Sequence, residues 1–375
     1  MEALYTPFRY DYVGSFLRPA KLKQARLDQA AGKISRNDLT LIENECITDL
    51  VGKIKKIGYH VITDGEFRRS AWHLDFMWAF NGVGHSPSKT GLPFHDEAAM
   101  IDDTYLTGKV SLTGRHPFVE HFKFVKQFED ANTVAKQTIP APAQFLEQMI
   151  MPFAIDNTRR YYSDTDDLVQ DLVDGYHQVI CDLYEAGCRN IQFDDCSWGM
   201  LLDPHAGLYF GTDQAGLKRI QEQFLAINNA AIEGKPADLK INTHVCRGNF
   251  HSTYANTGAY DAVAKVLFAR ENVNAYYLEY DDARSGGFQP LSQVSGDKKV
   301  VLGLVTTKRA ALENKENLVK RIRQAADYLP LDRLSISPQC GFASCEIGNK
   351  LTEEEQWNKL KLVKEAAQEV WGPDC

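Results

Sequence analysis

Short runs of β-branched and aromatic residues alternate along the chain with stretches whose apolar positions recur every three to four residues. That alternation marks a parallel sheet with crossover helices. Eight runs read as strands: 12–16 (YVGSF), 60–64 (HVITD), 135–139 (AKQTI), 190–194 (NIQFD), 240–244 (KINTH), 275–279 (AYYLE), 299–305 (KVVLGLV) and 333–337 (RLSIS). Helical periodicity is clearest over 37–57, 166–186, 213–232, 259–270, 315–328 and 352–371, with Asp166 and the TEEE run beginning at Thr352 as start signals. Eight strands with a helix after most of them predict an α/β fold of the (β/α)8 TIM barrel type. The stretch 70–134 is longer than one crossover requires, carries Gly and Pro, and predicts a hairpin around 109–114. It reads as an insertion after the second strand, over one end of the barrel. No repeat, low-complexity tract or linker divides the chain, so residues 1–375 read as a single domain.

Composition narrows the partners. The 375 residues are 44% hydrophobic and 25% charged, enough for a large core, and the formal net charge of -8 disfavours a nucleic-acid or anionic-membrane surface. No apolar run is long enough to span a bilayer, and the opening MEALYTPFRYDYVGSF lacks the basic flank and apolar stretch of a signal peptide. A soluble cytoplasmic protein acting on small molecules is expected; composition says nothing of oligomeric state. The eight cysteines, at 46, 181, 188, 196, 246, 340, 345 and 375, do not resemble the framework of a small disulfide-rich domain. Reduced thiols are expected, with Cys46, Cys181 and Cys188 as packing residues in helical stretches.

In such barrels the active site gathers at the carboxyl ends of the strands. Polar residues fall there in six runs: Ser15, Asp64 and Glu66, Asp194 and Asp195, His244 and Cys246, Glu279, and Gln339 and Cys340. His244 and Cys246 are two apart, so strand alternation points both to one face, where they can chelate a single ion. On its own the His-x-Cys pair fits a packed histidine beside a buried thiol just as well. The choice turns on whether Glu279 and Cys340 arrive at the same point. Imidazole, two thiolates and a carboxylate suit zinc, which accepts N, S and O donors in a tetrahedral shell. Three anionic ligands against a divalent cation make a poor activator of water but a good holder of a nucleophilic thiolate. Glu279, the harder donor, is expected to loosen when a substrate sulfur arrives.

The segments VGSFLRP at 13–19, DGEFRR at 64–69, QFDD at 192–195, HVCRGNF at 244–250, YLE at 277–279 and PQCGF at 338–342 together resemble the catalytic barrel of cobalamin-independent methionine synthase. The resemblance runs through nearly the whole chain in the same order, and it is closest to short members that have this barrel alone. It implies a zinc centre of His244, Cys246, Glu279 and Cys340 and transfer of a methyl group from a methylated folate to homocysteine. It further implies that Ser15 holds the amino-acid carboxylate through its backbone and hydroxyl, and that Glu66 and Asp194 hold the ammonium. Two carboxylates beside one ammonium would pair a charge that is costly to bury alone.

The chain departs from that pattern on the donor side. After the seventh strand the family has Asp-Ile-His-Ser, whose His is its acid, and this chain has Thr306, Thr307, Lys308 and Arg309. Demethylating a tertiary amine requires a protonated leaving nitrogen, so either the role moves, with Lys308 as the candidate acid or else a surface lysine, or the donor differs. The tryptophan that stacks on folate is replaced near Gln144, leaving Trp198 or Phe145 as substitutes. Asp195 stands where the family has Glu and is expected to order the polar network. Cys345 is a spare thiol or an alternative ligand. Arg18, Arg68 and Arg69 either meet a substrate anion or form surface ion pairs. The expected activity is a zinc-dependent methyl transfer to homocysteine; the alternative is alkyl transfer involving another thiol or a non-folate donor. A zinc hydrolase or deaminase on the same barrel is disfavoured by the two thiolates, and a non-catalytic thiol binder is the remaining rival.

Overall fold

The apolar runs become strands because both of their faces are covered, the environment of a parallel sheet. All six residues of Asn190–Asp195 and all five of Ala275–Glu279 are buried. In the computed structural model, which describes residues 4–375, six strands form one parallel sheet. Their order is Gln137–Pro140, Asn190–Asp195, Lys240–Val245, Ala275–Glu279, Lys299–Val305 and Leu334–Pro338. Val61–Ile62 pairs in parallel with Val134–Ala135, immediately before the first of the six. At the other edge Tyr10 bridges Ile336 in parallel. The fold is mixed α/β, with helices packed outside the sheet.

Six of the eight expected runs are strands of this sheet within one or two residues, and a seventh is the short Val61–Ile62. The first run, 12–16, is not a regular strand. Instead its segment is pinned by side chains: Tyr12 donates its hydroxyl to the Val61 carbonyl at 2.8 Å, and Thr63 donates to the Gly14 carbonyl at 2.8 Å. From the interior, the buried Lys136 ammonium donates to Asp11 at 3.2 Å, to the Tyr12 carbonyl at 2.5 Å and to Gln192 at 2.9 Å. Gln192 also donates to the Val13 carbonyl at 2.9 Å. These bonds satisfy polar groups sealed from water and set Ser15 beside the end of the Asn190–Asp195 strand.

Helix boundaries follow capping chemistry. Glu353–Trp371 begins with a reciprocal capping box between Thr352 and Glu355, and Arg36–Lys56 with one between Ser35 and Asp38. For Thr165–Glu185 the cap is Asp164, and Asp166 lies in the first turn. The helix expected from 259 starts at Ala264, after a 3-10 turn at Tyr260–Ala262.

Between Ser70 and Val134 the chain forms the helices Leu74–Met77 and Pro117–Lys126 and an antiparallel pair, Asn81–Ser86 with Asp103–Ser111. The hairpin expected at 109–114 is absent, because Asp103–Ser111 is one continuous strand whose turn lies earlier in the chain. The intervening tip docks on residues that follow the Lys240–Val245 strand. Phe94 meets Phe250 at 5.6 Å, and the His95 amide donates to the Tyr254 carbonyl at 2.8 Å. Among the described residues no helix is long and apolar enough to cross a membrane.

Candidate metal centre

Lys240–Val245 lies between two neighbours, with His244 opposite Asp194 on one side and Tyr277 on the other. The Cys246 amide donates to the Asp195 carbonyl at 3.1 Å, so the extended geometry persists one residue past the strand and His244 and Cys246 share a face. Glu279 ends its own strand opposite Gly303. A Cβ on residue 303 would come within 2.6 Å of the Gln339 Cα and 2.8 Å of the Leu278 carbonyl, so glycine lets the segment bearing Cys340 pass close.

The four side chains meet. One donor atom from each of His244, Cys246, Glu279 and Cys340 lies within 4.8 Å of the others, all four residues are buried, and the two Sγ atoms are 3.7 Å apart. His244 Nδ1 is 3.3 Å from the Tyr277 carbonyl, an acceptor only, so Nδ1 carries the proton and Nε2 presents its lone pair. That Nε2 and both Glu279 carboxylate oxygens are sealed from solvent without a hydrogen-bond partner. Orphaned lone pairs of this kind are rare in folded proteins. A hydrogen bond with Cys196, and then burial, push the Cys246 thiol well up; the bond with Cys246, and then burial, do the same to Cys340. A divalent cation among these donors would satisfy the lone pairs and hold both sulfurs as thiolates, so the residues fit a zinc ion.

Beside this cluster is a small cavity whose walls include Ser15, Glu66, Trp72, Asp194, His244, Cys246 and Cys340. Burial raises Glu66 to about 7 against the pull of Arg69, whose guanidinium is 3.3 Å away, and burial likewise raises Asp194 to about 7. Glu66 accepts from Thr138 at 3.0 Å while its second oxygen has no partner, and Asp194 accepts from Gln192 at 2.7 Å. Glu66 itself is held at φ 61°, a strained backbone for a non-glycine residue, after Gly65 at φ 65°. Ser15 is fixed by Phe342, whose amide donates to the Ser15 carbonyl at 2.9 Å. A Cβ on Gly341 would strike the Ser15 hydroxyl.

The remaining expected residues fall elsewhere or do different work. Asp195 accepts from the Ser197 amide at 3.0 Å and from Asn228 at 3.0 Å, and Asn228 also donates to Glu271 at 2.9 Å. Lys308 is buried, with no partner for its ammonium, and it does not line the cavity. Arg18 and Arg69 are buried and donate to main-chain carbonyls, and Arg68 pairs with Glu43 at 3.0 Å, so none forms a surface ion pair. Trp198 and Phe145 are fully buried against Phe224 and Phe80, which removes both as stacking surfaces. Gln144 accepts from the Cys196 amide at 2.9 Å and donates to Glu147 at 2.7 Å. Cys345 is buried outside the four-residue cluster.

Several residues escape the sequence pattern. Trp72 walls the cavity from an irregular segment, and only its position just after DGEFRR hints at that. Asn249 donates to the Gly341 carbonyl at 2.8 Å and to Ser344 at 3.0 Å, tying the loop after Cys246 to the loop after Cys340. Glu147 and Glu271, each raised to about 8 by burial and by the nearby Asp195, carry no motif at all. Arg247 is wholly buried beside Glu279; it lies in the HVCRGNF segment, but nothing in that segment gave it a role.

Comparison with known proteins agrees with this geometry. A family model described as cobalamin-independent synthase, catalytic domain, matches residues 149–369. The Bacillus subtilis protein YxjH, which is uncharacterized, is 42% identical over 369 residues, spanning 97% of this chain and 95% of its own. A methionine synthase of Saccharolobus solfataricus is 26% identical over 344 residues, spanning 88% of this chain and 86% of its own. A candidate vitamin-B12-independent methionine synthase from Listeria monocytogenes superposes with a TM-score of 0.77 at 34% identity, over 99% of this chain and 100% of its own. A B12-independent methionine synthase from Shewanella, solved with selenomethionine, gives 0.73 over 96% of this chain and 97% of its own; at 19% identity it bears on the fold alone. This chain belongs to the catalytic-domain family of the cobalamin-independent methionine synthases.

Proposed function

We propose that the protein is a zinc-dependent methyltransferase that moves a methyl group from a methylated folate or similar donor to the thiol of homocysteine, forming methionine. The observation that carries this is the meeting of His244, Cys246, Glu279 and Cys340 within 4.8 Å, next to a cavity walled by Ser15, Glu66 and Asp194. Zinc in such a set supplies a site where a substrate sulfur is held as a nucleophilic thiolate. Around it, Ser15 receives the amino-acid carboxylate and Glu66 and Asp194 receive the ammonium, which aims the thiol at the cluster. The framework we propose is a single (β/α)8 barrel over 1–375 with an insertion after the second strand. The Tyr10–Ile336 and 61–62 with 134–135 pairings support it. The working environment is the cytoplasm, with small molecules as partners. Transfer to homocysteine is tested with a panel of methyl donors: methionine formed with one donor supports the proposal, and no product with any donor, despite tight thiol binding, favours a thiol-binding protein.

A second version, with a different thiol or a non-folate donor, is favoured by the donor side of the site. Trp198 and Phe145 are unavailable for stacking, Gln144 is engaged in hydrogen bonds, and residues 306–309 lack a histidine. Within that segment Lys308 is the side chain able to deliver a proton, and its ammonium has no competing partner. With whichever donor the panel identifies, Lys308→Met is expected to lower turnover by about 10²–10⁴-fold, the range of a lost general acid, with zinc content unchanged. Wild-type turnover in that variant would remove Lys308 from the reaction.

The two carboxylates predict a pH dependence. Each titrates near 7 in the free protein, and only the ionised forms pair with an ammonium, so binding an amino acid lowers both and releases protons. Affinity for L-methionine, which has no thiol proton to confuse the measurement, is expected to rise between about pH 6 and about pH 8, with proton release on both sides of neutrality. Calorimetry in buffers of different ionisation enthalpy measures both quantities, and a flat profile would reject the ammonium assignment.

A further inference from the structure

A metal would account for the orphaned atoms of His244 and Glu279, but the neighbouring Arg247 would remain unexplained. Arg247 is 0% exposed, and among the described residues neither its Nε nor its Nη2 has a hydrogen-bond partner. Its Nη1 donates to the Glu279 carbonyl at 3.3 Å and to the Ser285 hydroxyl, and Ser285 in turn donates to the same carbonyl at 2.6 Å. Its guanidinium lies over the Tyr260 ring at 4.4 Å, and the Tyr260 hydroxyl accepts from the Glu279 amide at 2.9 Å. The backbone of Glu279 and the guanidinium of Arg247 are thus locked together. Yet Nε and Nη2 of Arg247 have no partner and are sealed from solvent. Leaving a buried guanidinium half-satisfied is costly. Because water does not reach those atoms, a partner has to come from inside the protein.

We infer that Arg247 is a positioning residue that receives the Glu279 carboxylate when the substrate thiol displaces it from the metal. This rests on the proposed function. The charge count shows why such a group is needed. With His244, two thiolates and the Glu279 carboxylate around a divalent cation, the set carries one net negative charge. A thiol that took the place of the carboxylate would lose its proton to solvent, and the ligand set would keep one negative charge. The freed carboxylate would then be a second buried negative charge in need of a counter-charge. The free Nε–H and Nη2–H of Arg247 supply the charge and the two donors that a carboxylate accepts side by side. Arg247 therefore favours the thiolate-bound state without touching substrate.

The test compares zinc-loaded wild type, Arg247→Met and Arg247→Lys, with zinc content and thermal melting measured first. Homocysteine binding and proton release are then measured by calorimetry. Arg247→Met is expected to keep one zinc and to bind homocysteine about tenfold to a hundredfold more weakly, and Arg247→Lys to recover most of that loss. Equal binding by wild type and Arg247→Met, or an equal loss in both variants, would overturn the inference. X-ray absorption of the wild-type zinc before and after homocysteine gives a test that needs no variant. An oxygen ligand replaced by sulfur supports the inference, and a retained oxygen overturns it. No homocysteine binding by the wild type would overturn the proposed function itself, and the role of Arg247 with it.

Discussion

Replacing Cys340 with alanine is expected to lower the zinc content and abolish methyl transfer while leaving the protein folded. Four-ligand zinc centres carry about 10–16 kcal/mol of binding free energy, so one thiolate is worth roughly 3–4 kcal/mol, or about 10²–10³ in affinity. The local geometry makes the loss hard to repair. The Cys340 and Cys246 sulfurs are 3.7 Å apart on different strand ends, and Cys345 lies outside the cluster, bridged through its backbone to Ala71. The fold should persist, less the stabilisation that bound zinc gives the wild type, because the loop stays tied by Asn249 to Gly341 and Ser344. Metal analysis of the purified variant, with circular dichroism to establish the fold, measures both halves. A zinc-free Cys340→Ala protein with full transferase activity would overturn the metal assignment.

Strand order and the main helices were legible because their signals are local: two-sided burial selects continuous β-branched runs, and amphipathic spacing with Thr352 or Ser35 caps selects helices. The four residues that meet at the candidate metal centre were legible because each sits at or just past the end of its run. What was not legible depends on distant partners. The segment 12–16 has strand composition, but its carbonyls are bonded by Thr63, Gln192 and Lys136, residues from 49 to 179 positions away, and those bonds hold it without a regular ladder. Arg18 and Arg69 read either as contacts to a substrate anion or as surface ion pairs, and only the fold reveals the carbonyls of Ala343 and Thr138 that draw them inside. Trp198 read as a packing residue or as a substitute stacking surface, and the fold decides for packing. Its helix, Ser197–Leu202, turns the ring toward Phe224, and Gly199 packs so tightly on the Cys246 carbonyl that a Cβ there would collide with it. The residues hardest to see, Arg247 and Glu271, are placed by bonds to the Glu279 carbonyl and the Asn228 side chain that span 32 or more positions, so no spacing rule reports them.

Changing Asp194 to asparagine separates amino-acid recognition from metal binding. The substitution keeps the shape of a side chain that is only 6% exposed, and an amide oxygen can still accept from Gln192, so the strand end and His244 opposite it should stay in place. Zinc content is therefore expected to match wild type. What disappears is one of two negative charges facing the ammonium, and removing one partner of a buried charged pair costs about 2–5 kcal/mol, a weakening of roughly 30-fold or more. Affinity for L-methionine and homocysteine should fall by that factor at slightly alkaline pH, where the wild-type carboxylates are ionised. The pH dependence should move as well. Burial is the main cause that holds Glu66 near 7, and the Asp194 charge adds to it. With that charge gone Glu66 ionises at lower pH, so the rise in affinity with pH begins earlier in the variant than in wild type even though the affinity reached is lower. A merely loosened site would not produce that combination, because loosening lets water in at the centre as well and zinc is lost together with the ligand. Unchanged methionine affinity in a zinc-replete Asp194→Asn protein would remove Asp194 from the amino-acid site and leave Glu66 as the single counter-charge to the ammonium.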